Sequence, residues 1–247
     1  MESSYLVFDL ETVGLSLDSF DETQQEYLFR RAETEADRER VVNELSLSPM
    51  TGSIVTIGMR MMKRDGAGTD WTAKDVAYQV DPSLTDSDAV REQTLPSGGI
   101  CYVSSERVML QNFWRLLEAH RGIHLVSFNG RGFDAPWLML RSAALGVRPT
   151  RNLMEGTKFN YRAHTDLLDE LTFYSRSSSG PTRSFNFDFY AKAFGVQSPK
   201  AEGVDGSMVG ALFADARYID IAEYCLRDVR STWLLFERWY AMFGPEY

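Results

Sequence analysis

Residues 5–12 read Tyr5-Leu-Val-Phe-Asp-Leu-Glu-Thr12. The first six are nearly continuous in apolar character, with aromatic and β-branched residues, as in a strand buried on both faces. Asp9 and Glu11 break that character at its C-terminal end. Side chains along a strand alternate, so both carboxylates leave one face. The carboxyl ends of strands are where open α/β sheets place their sites. Two carboxylates on one face repel each other unless a cation or a proton stands between them. Asp37 and Glu39 share the spacing but fall in a helical stretch, where it does not share a face, and read as solvated surface.

Outward from this strand, residues 18–46 read as a helical insertion. Ser19-Phe-Asp-Glu22 resembles a capping box at its start, and Pro49 ends it. It is acidic, with nine Asp/Glu against Arg30, Arg31, Arg38 and Arg40. Ile54–Met61 and Val76–Val80 read as an antiparallel hairpin, and 83–104 as a polar loop broken at Pro96-Ser-Gly-Gly99. Glu106–His120 carries apolar residues at helical spacing. Ile123–Phe128 is a fourth strand. Asn129-Gly-Arg-Gly-Phe133 is a turn, Asp134 stands at an N-cap position, and Pro136 lies just inside the helix that follows. His164–Leu168 suggests a fifth strand. Arg176–Ser184 reads as a mobile loop, and helices follow over about 186–194 and 218–241. Strands alternating with helices after a hairpin define a mixed-sheet α/β layer fold. The whole of 1–247 reads as one domain.

Three further oxygen donors bear on Asp9 and Glu11. Tyr224 and Asp228 are four apart in the last helix, hence on one helical face. Asp134 is either a cap or a ligand. Hard divalent cations such as Mg²⁺ and Mn²⁺ select carboxylates. His120, His124 and His164 read as core or surface residues, and Cys101 and Cys225 are too few for a zinc site.

Phe8-Asp-Leu-Glu-Thr12, Asn129-Gly-Arg-Gly-Phe-Asp134 and Tyr224-Cys-Leu-Arg-Asp228 resemble, in order, the three motifs of the DEDDy-type 3′–5′ exonucleases. They look most like stand-alone bacterial proteins related to the exonuclease domain of family-B DNA polymerases. The resemblance implies a ribonuclease H-like fold: a mixed five-stranded sheet with helices on both faces. It implies that Asp9, Glu11, Asp134 and Asp228 hold two Mg²⁺ or Mn²⁺ ions. One activates a water for attack on the terminal phosphodiester and the other stabilises the leaving 3′ oxygen. Tyr224 orients that water. Thr12, Asn129 and Phe133 grip the 3′-terminal nucleotide, Lys200 touches phosphate, and Asp166 supports the ligands from behind. The acidic 18–46 insertion departs from the family pattern.

Formal charge is −9, which argues against nonspecific nucleic-acid binding by the chain as a whole. Residues 121–200 nevertheless hold eleven Lys/Arg against six Asp/Glu, compatible with a local phosphate-binding face. No run approaches the roughly 18 apolar residues of a membrane span, and no secretory signal is visible, so a cytoplasmic protein is expected. The expected partner is single-stranded nucleic acid, DNA before RNA, with no membrane. Two alternatives stay open: the same chemistry on RNA or short oligonucleotides, and a non-catalytic nucleic-acid-binding module.

Overall fold

The computed structural model describes residues 4–64, 70–197 and 206–244. Its sheet has seven strands: β1 (Ser4–Gly14), β2 (Gly52–Arg64), β3 (Trp71–Val80), β4 (Arg91–Thr94), β5 (Ile100–Ser104), β6 (His124–Ser127) and β7 (His164–Asp166). Their order is β4-β5-β3-β2-β1-β6-β7. The β1–β2, β2–β3 and β4–β5 pairs are antiparallel, and β3–β5, β1–β6 and β6–β7 are parallel. The sheet is mixed, as expected, but it has seven strands where the sequence suggested five.

The two extra strands lie in the stretch read as a polar loop. Arg91-Glu-Gln-Thr94 has no apolar residue because it is the exposed edge of the sheet. Pro96-Ser-Gly-Gly99 is the turn that joins it to β5. There the Gly98 amide donates to the Leu95 carbonyl, and Gly98 takes φ +85° with open space around it.

The helices are α1 (Glu22–Phe29), α2 (Glu35–Glu44), α3 (Glu106–Ala119), α4 (Asp134–Ala144), α5 (Leu167–Leu171), α6 (Phe187–Ala193), α7 (Val209–Ala214) and α8 (Tyr218–Phe243). The 18–46 span is two helices, not one. Asp21 with Gln24 caps α1, and Thr34 with Asp37 caps α2, whereas Ser19 sits in a preceding 3₁₀ turn. Each capping box satisfies orphan amides that a continuous helix would not have. α5 and α7 are short and carry no sequence period of their own. The 176–184 loop closes on itself: Ser184 donates to the Ser177 carbonyl and Ser177 to that of Thr182.

Period-two alternation along β1 builds both cores. Leu6, Phe8 and Leu10 pack with Met109, Phe113 and Trp114 of α3 and Trp137 and Leu138 of α4. Tyr5 and Val7 pack on the opposite face with Ala222, Leu226, Val229, Trp233 and Phe236 of α8. Asp9 and Glu11 continue the Tyr5–Val7 series. They therefore lie on the α8 side, just past the end of its apolar stripe. Between the Glu11–Thr56 and Thr12–Ile54 pairs, β2 contributes one extra residue, a bulge that ends regular pairing beside the carboxylates.

Candidate metal centre

Three elements meet at the C-terminal end of β1. Asp9 and Glu11 come from β1, Asp134 from the start of α4, and Tyr224 and Asp228 from one face of α8. The close seat of α8 on the sheet depends on Gly58 of β2, the pairing partner of Asp9. A Cβ there would stand 2.6 Å from the Cys225 Sγ and 3.0 Å from its carbonyl oxygen.

The turn that delivers Asp134 is built by its own sequence. Asn129 takes φ +63°, in the left-handed region that asparagine tolerates. A Cβ on Gly130 would stand 2.2 Å from the Ser127 Oγ, and one on Gly132 would stand 2.4 Å from the Asn129 Oδ1. Asp166, fully buried, braces the turn from behind. Its carboxylate accepts from the amides of Asn129 (2.8 Å), Arg131 (2.9 Å) and Leu168 (3.0 Å), and from the Arg176 guanidinium (3.3 Å). Asp134 is the first residue of α4 and not its cap. Phe133 occupies the cap position and makes no side-chain cap bond. The Asp134 carboxylate is thus not spent on capping, and its Oδ1 is buried with no hydrogen-bond partner among the described residues.

The electrostatics are those of a site short of positive charge. Burial, then repulsion from Asp134, Asp228 and Glu11, pushes Asp9 well above the usual carboxylate range. Burial, then Asp228 and Asp134, does the same to Glu11. Burial pushes Asp134 up to about 7, although its own amide and that of Leu10 oppose the shift. Tyr224 is buried. Its phenol is pushed up first by that burial, then by Asp228, Glu11 and Asp9, and it hydrogen-bonds to the Asp228 side chain. A carboxylate-rich donor set that disfavours its own ionisation fits divalent cations.

Cys225 enters the same cluster unforeseen. One ligand atom each from Asp9, Glu11 and Cys225 lie within 4.8 Å of one another, a group able to coordinate a metal ion. Burial and the nearby carboxylates hold the thiol protonated. Its Sγ donates toward the Asp9 carbonyl (3.5 Å) and Oδ2 (3.7 Å). That makes it a weak donor that orients Asp9, with the carboxylates as the harder ligands. The sequence signal was its place next to Tyr224, three residues before Asp228.

A cavity of about 350 Å³ opens onto Asp9, Tyr224 and Asp228 and is also lined by Phe128, Asn129, Phe185 and Phe187. Asn129 thus lines this cavity, with the Arg176 guanidinium on its side-chain oxygen. Phe133 is half-buried, its ring 5.9 Å from that of Trp137 and packed on the α3–α4 core. The Thr12 hydroxyl donates to the Ser46 carbonyl (2.7 Å). Thr12 lines a separate cavity of about 950 Å³ between the insertion and α7. Lys200 lies outside the described residues.

Two of the three histidines are held in the fold by their side chains. His164 bonds to the Ser127 Oγ (2.7 Å) and His124 to the Thr165 Oγ1 (2.8 Å). Burial pulls His164 down and His124 to about 4.

Much of the positive charge of 121–200 is engaged internally. Arg141 pairs bidentately with Glu106 (2.8 Å each), Arg151 donates to the carbonyls of Ile123 and Ala163, and Arg131 lies over the Tyr161 ring.

The chain belongs to the family described as "Predicted 3'-5' exonuclease related to the exonuclease domain of PolB", which matches residues 87–245. That span holds Asp134, Tyr224 and Asp228 and begins after β1. The fold is also similar to part of a solved family B DNA polymerase from the hyperthermophilic archaeon Pyrobaculum calidifontis. The likeness has a TM-score of 0.58 at 17% identity and covers 97% of this chain. This chain spans 25% of that polymerase's length. No described helix is long and apolar enough to cross a membrane.

Proposed function

We propose that the protein is a metal-dependent 3′–5′ exonuclease with a ribonuclease H-like fold. It hydrolyses single-stranded DNA from the 3′ end to nucleoside 5′-monophosphates, and the described chain serves as one catalytic module. The observation that carries the reading is the convergence of Asp9, Glu11, Asp134 and Asp228 from three distant segments. Asp9, Glu11 and Asp134 are each held against ionisation by burial, with neighbouring carboxylates adding to it at Asp9 and Glu11.

In this reading the four carboxylates hold two Mg²⁺ or Mn²⁺ ions. Such ions, when bound, supply Lewis acidity and neutralise charge at both the attacked and the leaving oxygen of a phosphodiester. The protein's own residues do the rest. Tyr224 keeps its proton and offers a hydroxyl from a fixed position on Asp228, which suits it to orient a water and not to deprotonate one. Asn129 lines the cavity and meets the terminal nucleotide, with Phe133, Lys200 and, from the separate cavity beside the insertion, Thr12 as further contacts to the strand. Asp166 keeps the 129–134 turn in place. A protonated Cys225 holds Asp9 without competing for charge.

The test is a 5′-labelled single-stranded DNA incubated with Mg²⁺, beside the same strand with a blocked 3′ end and the matching RNA. A ladder shortening from the free 3′ end, with nucleoside 5′-monophosphates released, is the expected result. Faster loss of the RNA would move the substrate to RNA, which a site reads through its 2′-hydroxyls. Internal cuts in the blocked strand would overturn the exonuclease assignment.

A further inference from the structure

The cavity that Asp9, Tyr224 and Asp228 line is also lined by Phe128, Phe185 and Phe187, and part of this aromatic lining faces water. Phe185 is 36% exposed and Phe189 58%. Their ring centroids are 4.9 Å apart and their planes are tilted 33° from parallel. The guanidinium of exposed Arg183 lies 4.8 Å over the Phe185 ring. Phe185 lines the same cavity as Asp9, Tyr224 and Asp228. Below the pair, the Phe128 ring meets Phe187 (5.2 Å) and Tyr190 (5.7 Å), which seats α6 against the turn that follows β6. Asn186 caps α6 at the Phe189 amide and so fixes the spacing of the two exposed rings.

Two flat rings held in water beside a phosphodiester-cleaving centre call for a partner. A cation over one ring shows that its face accepts a planar or positive group, and it places positive charge where a polyanion would run. Unpaired nucleobases on a phosphate backbone meet both conditions. Paired bases present no free face. We propose that Phe185 and Phe189, with Arg183, form a stacking platform that receives the unpaired bases of a strand as its 3′ end enters the carboxylate cavity. This inference rests on the nuclease reading and adds to it the residues that receive the bases of the single strand, indifferent to their identity.

The experiment measures binding and not cleavage. Fluorescence anisotropy is followed for a 5′-labelled oligothymidylate, and for a strand of equal length with abasic sugars at its 3′ end, with Ca²⁺ in place of Mg²⁺. The wild-type protein should prefer the base-bearing strand by about tenfold or more, from the worth of base–aromatic stacking. Phe185→Leu and Phe189→Leu keep apolar volume and remove the flat face. They should bind both strands alike, with unchanged affinity for the abasic strand, and Phe185→Trp should restore the preference.

A wild-type protein indifferent to the bases, or binding neither strand, would overturn the platform. So would Phe185→Leu and Phe189→Leu proteins that both keep the preference. Concentration-dependent dimers abolished by the same substitutions would assign the rings to a second copy of the chain instead. A preference lost in the variants, from a protein that cleaves no strand in Mg²⁺, would leave the platform standing and remove the exonuclease reading.

Discussion

Asp166 shows how a residue outside the carboxylate set governs it. The side chain is fully buried and raised by that burial, yet three backbone amides and Arg176 hold it. Removing it leaves those donors without their acceptor in a dry site, where each unsatisfied group costs about 1–3 kcal/mol. Asp166→Ala should lose about 3 kcal/mol in urea unfolding. Asp166→Asn keeps one accepting oxygen and should lose about half as much. A loss below about 0.5 kcal/mol in the alanine variant would show that the 129–131 turn holds itself. The two glycines of that turn, by contrast, explain themselves: the Ser127 and Asn129 side chains fill the space a Cβ would need.

At the scale of elements, the site exists because α8 lies close on β1 and β2. Gly58 sets that approach, so Gly58→Ala forces Cys225 and its backbone outward. Overpacking of this kind costs about 1–3 kcal/mol and should also weaken metal binding, since Tyr224 and Asp228 ride on the same helix. Gly122→Ala, where nothing lies within 4 Å of the added atom, is the neutral control. Equal melting temperatures for the two variants would contradict the account.

The long elements were legible beforehand. β1, α3 and α8 announce themselves by unbroken apolar runs or by helical periodicity over many residues. β4 did not, because an exposed edge strand of Arg-Glu-Gln-Thr has no buried face to pattern it. The break between α1 and α2 was hidden by two capping boxes written in the same polar residues as the helices. Position alone left Asp134 as either a cap or a ligand, whereas the shared strand face of Asp9 and Glu11 and the shared helix face of Tyr224 and Asp228 were readable from spacing. The contact between Gly58 and Cys225 was not, because nothing local couples a strand glycine to a cysteine in the last helix. The use of the Thr12 hydroxyl to tie the insertion to β1 was equally invisible.

For the whole molecule, the carboxylate centre is a liability that a bound cation would relieve. Asp9 and Glu11 sit well above the usual range, and Asp134 at about 7. The folded state therefore keeps protons that the unfolded chain has already released between about pH 4 and pH 7. Their ionisation destabilises the metal-free fold increasingly as pH rises through that window. A divalent cation replaces the protons, so the rise in melting temperature on adding Mg²⁺ should be small near pH 5 and grow through pH 7. At about a hundredfold excess over Kd the stabilisation is about 2.7 kcal/mol, or roughly 5–10 °C for a chain of this size. Comparing the Mg²⁺-dependent shift at each pH cancels the opposing contribution of His124 and His164, whose depressed values favour the fold at higher pH. A shift independent of pH would contradict the assignment of these carboxylates as ligands.

The most direct measurement is cleavage of 5′-labelled single-stranded DNA by the wild-type protein and by Asp9→Asn, each with Mg²⁺ and with EDTA. The account expects stepwise shortening from the 3′ end only for the wild-type protein with Mg²⁺. Undiminished cleavage by Asp9→Asn, or by the wild-type protein in EDTA, would contradict it.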